Sequence, residues 1–205
     1  MNIVIKSLAF SLCLGAIGTS TSGFTQEYSR KLFEEPWYVI KEIDPSYEGR
    51  FCIKAEDGCC WEVQNESKQR VREDWQANDR IVIMPTSDIS WWADSKDYCL
   101  KNKETQTIAF VRKYKNPYSK APAKGYIRHI EGFWSDKVLV VEKNNGDYFR
   151  YEVYPSDASK LHNWNRRDTI MIGSNMTPSA QKKCSYNYLI INMSRNETVR
   201  ANALD

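Results

Sequence analysis

The chain has 205 residues, with 29 Lys and Arg against 26 Asp and Glu and a formal charge of +3 at neutral pH. That length suits one or two domains. The near balance of charge lacks the basic face and high pI of a nucleic-acid binder, so no nucleic-acid partner is expected.

Residues 1–23 have the order of a secretory signal peptide. Lys6 supplies a basic start, Leu8-Ala9-Phe10-Ser11-Leu12-Cys13-Leu14 a short apolar middle, and Thr19 to Gly23 a small-residue end. The run is too short for a bilayer, which takes roughly 20 residues. Leu12 before Cys13 argues against a lipoprotein signal, whose cleavage needs a small residue there. Cleavage near Ser22 or Gly23 leaves a soluble secreted or periplasmic chain without a transmembrane segment. Five cysteines then remain, Cys52, Cys59, Cys60, Cys99 and Cys184. Export permits disulfides, but an odd count leaves one thiol over or pairs it between chains.

Beyond the signal the chain repeats itself. Trp61-Glu62-Val63, Trp75, Asp79, Ile81, Ile83, Tyr98, Leu100 and Asn102 return as Tyr151-Glu152-Val153, Trp164, Asp168, Ile170, Ile172, Tyr188, Ile190 and Asn192, at an offset of 89 to 90 residues. Such self-similarity decides an architecture before any local reading does. Residues 24–112 form the first copy with its lead-in, 113–123 a linker, and 124–205 the second copy. The linker carries Asn116-Pro117 and Pro122 among basic residues that bunch between Arg112 and Arg128. A charge run there reads as solvated first and as a contact for an anionic partner second.

Each copy begins with a strand, Val39 to Ile43 or Tyr126 to Ile130. A hairpin follows. In the first copy the turn Glu56-Asp57-Gly58, with Gly58 left-handed, pairs Phe51 with Val63 and Ile53 with Trp61. In the second, Asn145-Gly146 predicts a two-residue type I′ turn, which pairs Val138 with Val153 and Val140 with Tyr151. Val138, Val140, Phe149, Tyr151 and Val153 then share the inner face. Helical turns are expected within 65–74 and 154–163. Strands follow at Asp79 to Ile83 and Asp168 to Ile172, then Tyr98 to Asn102 with Thr107 to Val111, and Tyr188 to Asn192 with Thr198 to Ala201. Short strands at this spacing indicate an all-β fold of two tandem small barrels. Each is expected to be partly open, five- or six-stranded, and SH3-like or OB-like. Trp61, Trp75, Tyr151 and Trp164 are the repeated core aromatics, Trp75 and Trp164 plugging the barrels. Asp79 and Asp168 cap turns before a strand.

Glycine, aromatic-x-Val, Trp-x-x-x-Asp-x-Ile-x-Ile, Tyr-x-Leu/Ile-x-Asn and a closing Thr-Val/Ile resemble short β-repeats in uncharacterised secreted proteins of chlamydia-like and other Gram-negative bacteria. The resemblance covers residues 58–111 and 146–203. It implies the repeat fold and a bacterial envelope location, and it carries no activity.

Residues that do chemistry are sparse. His129 and His162 lie in different copies, without carboxylate or cysteine at metal-ligand spacing, and no Gly-rich phosphate loop or nucleophile elbow is present. No metal, cofactor or catalytic residue is assigned. Cys60 or Cys184 with His162 keeps a small cysteine-dependent hydrolase or transferase as the alternative. The favoured reading is a non-catalytic binding module for an envelope polymer or a protein, with a scaffold joined through barrel edges as the third. Residues with a copy-specific task should differ between copies. Trp91-Trp92 have no aromatic counterpart, and Phe133-Trp134 are matched only by Ser46-Tyr47. These four, on loops where binding residues gather, are the ligand-binding candidates.

Overall fold

Each half of the chain folds into a ring of six antiparallel strands. A computed structural model describes residues 32–56, 58–86, 97–115, 125–143 and 145–204. The first half runs β1 (Tyr38–Tyr47), β2 (Arg50–Ala55), β3 (Cys60–Val63), helix α1 (Asn65–Asp74), β4 (Arg80–Pro85), β5 (Asp97–Asn102) and β6 (Ile108–Lys115). The second runs β7 (Gly125–Glu131), β8 (Val138–Glu142), β9 (Tyr148–Val153), a 3₁₀ helix over Pro155–Asn163, β10 (Thr169–Ser174), α2 (Pro178–Lys183), β11 (Tyr188–Asn192) and β12 (Glu197–Leu204). Ring order is β1-β2-β3-β6-β5-β4 in one barrel and β10-β11-β12-β9-β8-β7 in the other. The all-β tandem barrels and both helical turns stand as expected. The partly open form does not, because each ring closes. The closing seam is short: Tyr38 pairs Ile81 and Val39 pairs Arg80, while Tyr126 pairs Thr169 and Gly125 pairs Ile170.

Repetition extends to the turns. Asp79 Oδ2 accepts the Gln76 amide at 2.8 Å and the Asn102 side-chain amide at 2.7 Å. Asp168 Oδ2 does the same for Asn165 and Asn192, both at 2.9 Å. Asn102 Oδ1 and Asn192 Oδ1 then each accept two backbone amides of the following turn. Asn78 and Arg167 hold matching positive φ of 77° and 69°. The Trp75 and Trp164 indoles are buried and donate to Thr107 and Glu197. These are turn-building and core roles, which explains why these residues occur in both copies.

The second hairpin departs from its predicted register. Leu139 pairs Tyr151 and Val141 pairs Phe149, so Leu139 and Val141 face the core, where Val138 and Val140 were expected. Lys143 N donates to Asp147 O and Gly146 N to Lys143 O, and Gly146 is left-handed at φ 86° whereas Asn145 is not. Asn145 instead uses its side chain, accepting from Asp147 N. A type I′ turn needs both central residues left-handed, and β8 (VLVVE) is apolar on both faces, so its pattern could not choose between registers one residue apart. The first hairpin has its expected form, with Ile53 against Trp61 and Gly58 at φ 81°.

The barrels are packed into one another. Met171, Leu189, Ile191 and Met193 point out of the second barrel and belong to the core cluster of the first. Gly173 lets β10 approach β4 so closely that a Cβ there would lie 2.7 Å from the Ile83 carbonyl oxygen. Where pairing between β10 and β7 stops, the Tyr38 hydroxyl takes over, accepting from Ile172 N and donating to Ile172 O. Strand β6 runs to Lys115, three residues past the expected boundary, and Lys113 is not a solvated linker charge. Burial lowers its pKa, and its Nζ donates to Met193 O at 2.6 Å across the interface. The lead-in at Phe33 packs on the second barrel's core rather than the first. Among the described residues no helix is long and apolar enough to cross a membrane.

Candidate functional site

The β7–β8 turn presents Phe133 and Trp134 to solvent at 83% and 92% exposure. The turn is tightly built. Gly132 is at φ 86°, and a Cβ there would fall 1.9 Å from Asp136 O, so only glycine fits. Asp136 N donates to Phe133 O, and Lys137 Nζ to Gly132 O at 2.8 Å. Trp134 itself sits at φ 48°, a region that bulky residues avoid. Ser135 and Asp136, next in the turn, carry a hydroxyl and a carboxylate 3.4 Å apart. The counterpart in the first barrel is satisfied internally: Tyr47 is half-buried, with Lys54 Nζ 4.2 Å above its ring and Tyr114 6.3 Å away. Trp91 and Trp92 lie outside the described residues. Trp61 and Tyr151 are fully or nearly buried at equivalent positions, as core aromatics.

A second feature lies at the opposite end of the second barrel. The β8–β9 turn and the ends of β10, β11 and β12 frame a mouth lined by Phe149, Tyr151, Ile172 and Tyr188. The lead-in at 32–37 crosses it, with the Phe33 ring 5.0 Å from Tyr188 and Glu34 N donating to the Tyr188 hydroxyl at 3.0 Å. Beneath it is a cavity of about 390 Å³. Sequence comparison missed this mouth because its residues recur in both copies and so read as core. The available signal was Phe149 against Cys59, an aromatic facing a small residue.

The cysteines and histidines do not assemble a nucleophile. Cys52, Cys59, Cys60, Cys99 and Cys184 are all buried. Burial, reinforced by the adjacent Cys60 thiol, pushes Cys52 up to about 12, so its thiol stays protonated at neutral pH. Cys59 donates to Met171 Sδ at 3.0 Å, filling the barrel interface. Cys184 Sγ accepts from Asn175 Nδ2, while His162 Nδ1 bonds Ser159 O within its own helix. No cluster of three or more His, Cys, Asp or Glu at metal-binding geometry occurs among the described residues.

Among the described residues the buried charge is Asp157, in the 3₁₀ helix. Its carboxylate takes the Arg200 guanidinium in two bonds of 2.7 and 2.9 Å, the Arg200 amide at 3.0 Å and Lys160 Nζ at 2.8 Å. Burial alone would raise its pKa; these donors outweigh that and hold it below the usual carboxylate range. In the first barrel the same place is taken by Ser67, whose hydroxyl accepts the Phe110 amide at 2.9 Å. The ion pair therefore ties helix to strand and is structural. A comparison of the chain with known families, curated proteins and solved structures finds no match.

Proposed function

We propose that this chain is a non-catalytic binding module of the secreted or periplasmic compartment, its two small SH3-like or OB-like barrels holding a contact surface for a cell-envelope polymer. The carrying observation is the Phe133–Trp134 pair. Two large rings stand exposed on a tightly built turn, and Tyr or Trp so placed dominates binding energy in many interfaces. A tryptophan at positive φ costs about 1–3 kcal/mol, strain that persists where the surroundings over-determine it and gathers at ligand-contact sites. A glycan suits the site: sugar C–H faces stack on a ring while hydroxyls reach the neighbouring Ser135 and Asp136. The signal-like N-terminus and the resemblance to envelope repeats support the compartment.

Co-sedimentation with purified peptidoglycan sacculi tests the reading. The wild-type chain should pellet with sacculi, and Phe133→Ala combined with Trp134→Ala should abolish this while leaving the thermal midpoint unchanged or raised. Undiminished pelleting of the double variant would remove the turn as the contact; a wild-type chain that stays in solution would remove the polymer as the partner.

A further inference from the structure

The mouth of the first barrel shows what such a mouth accepts. Its Trp61, Ile83 and Tyr98 share one core cluster with Met171, Leu189, Ile191 and Met193 of the second barrel. The Tyr98 hydroxyl bonds Thr198 of the inserted barrel at 2.9 Å. In the second barrel the equivalent residues are Tyr151, Ile172 and Tyr188, yet no barrel enters. Only the lead-in covers them, and Tyr188 bonds its backbone at Glu34. That cover is thin. Residues 32–37 have no regular secondary structure, Leu32 is 95% exposed and Trp37 42%. The space left beneath, about 390 Å³, falls within the roughly 300–1,000 Å³ of small-molecule sites.

One polar group in this space has no partner among the described residues. Tyr151 is 4% exposed, and its hydroxyl has no hydrogen bond to any residue of the protein among those described. Tyr151 lines the cavity, and among the described residues the sealed side-chain polar atoms without a partner are two others, Trp61 Nε1 and Asn196 Oδ1. Burial raises the Tyr151 pKa, with Tyr188 adding to it, so the group stays a protonated donor. An acceptor entering the cavity could take a hydrogen bond from this hydroxyl. At the rim, Lys143 Nζ rests 3.8 Å from the centre of the Phe149 ring, while Lys103 neutralises Glu35 at 3.1 Å.

The geometry points to a second binding site in the mouth of the second barrel, independent of the aromatic turn, for a small neutral molecule with an apolar ring or chain and one acceptor oxygen. The apolar body packs against Pro36, Trp37, Phe149 and Ile172, and the Tyr151 hydroxyl donates to the acceptor. The lead-in forms the outer wall.

Prodan, a neutral naphthalene bearing a ketone, has this chemistry and changes emission on leaving water. Titrated into the full chain, it should bind saturably with a blue-shifted emission. Tyr151→Phe should weaken binding roughly threefold to tenfold, the range for one hydrogen bond. Ala203→Phe, which grows into the cavity from β12, should abolish it with the far-ultraviolet circular dichroism intact. Phe133→Ala with Trp134→Ala should leave it unchanged, which separates this site from the turn. Absence of saturable binding to the wild-type chain would overturn the proposal. Should Ala203→Phe fail to fold, an unaltered affinity in Tyr151→Phe would overturn it as well.

Discussion

Gly173→Ala is the sharpest probe of how the two barrels are joined. A methyl group at Gly173 would meet the Ile83 carbonyl oxygen at 2.7 Å and its carbon at 3.4 Å. The first of these is several tenths of an ångström inside ordinary contact, and the atom met is backbone in the middle of β4. It cannot rotate away as a side chain could. Either β10 and β4 separate, loosening the Cys59–Met171 and Lys113–Met193 contacts, or one strand distorts. Overpacking of this kind costs about 1–3 kcal/mol, and for a chain of this size each kcal/mol lowers the thermal midpoint by roughly 2–4 °C. Because Met171, Leu189, Ile191 and Met193 lie in the first barrel's core, wild type should unfold in a single urea transition. Gly173→Ala should lower its midpoint, and Gly173→Val should lower it further or split it in two. A Gly173→Val variant with the wild-type midpoint and slope would refute the close crossing of β4 and β10.

Three other outcomes follow from side-chain geometry. Asp157→Asn should destabilise by about 2 kcal/mol, below the figure for a fully buried pair because Arg200 keeps 30% side-chain exposure. The carboxyl is held below its ordinary value, so its contribution is complete above the unfolded range near pH 4 and fades as pH falls through the folded value. Thermal midpoints of wild type and Asp157→Asn should therefore converge on acidification, and a gap constant down to about pH 2 would refute the assignment. Cys52, pushed up to about 12, should react with a disulfide reagent at pH 8 far more slowly than a free peptide thiol and only on unfolding; a fast-reacting Cys52 would revive the cysteine-enzyme reading. Asn102→Ala and Asn192→Ala each remove one bond to an aspartate and two to turn amides. Both should lose about 2–4 kcal/mol in urea melts, and a large inequality would mean that the two turns are not equivalent.

The frame was legible in the sequence because its signals are local or repeated. Trp-x-x-x-Asp ahead of a strand encodes an indole in the core and a carboxylate over the turn, and both copies carry it. Strands with one polar face, such as β5 with Lys101, also declare their orientation. Strand β8 does not, since Leu139, Val140 and Val141 offer apolar side chains to either face. The barrel interface had a signal that the comparison of copies passed over: Leu189, Ile191 and Met193 stand where the first copy has Cys99, Lys101 and Lys103. An outward strand face that is charged in one copy and apolar in the other marks a buried contact. The lead-in's place across the second mouth carried no such mark. Its contacts, Phe33 with Tyr188 and Glu34 with the same hydroxyl, span more than 150 residues and depend on how the barrels pack.

Differences between the copies are not all functional, and the structure sorts them by what each side chain touches. Met171, Leu189, Ile191 and Met193 differ from their counterparts because one barrel enters the other. Asp157 with Arg200 replaces Ser67 with Phe110, yet both pairs bind the helix to the last strand through the same backbone amide. Phe149 replaces Cys59 because one mouth holds a barrel and the other a cavity and a lead-in. Each of these is answered by a contact inside the molecule. Phe133 and Trp134 are not answered so among the described residues: the turn below them is fixed by Gly132 and Lys137, the backbone at Trp134 is strained, and the rings are exposed to solvent. An Asn at 134 would hold the same turn with less strain. The proposed partner is therefore sought first at this turn rather than among the larger set of unmatched residues.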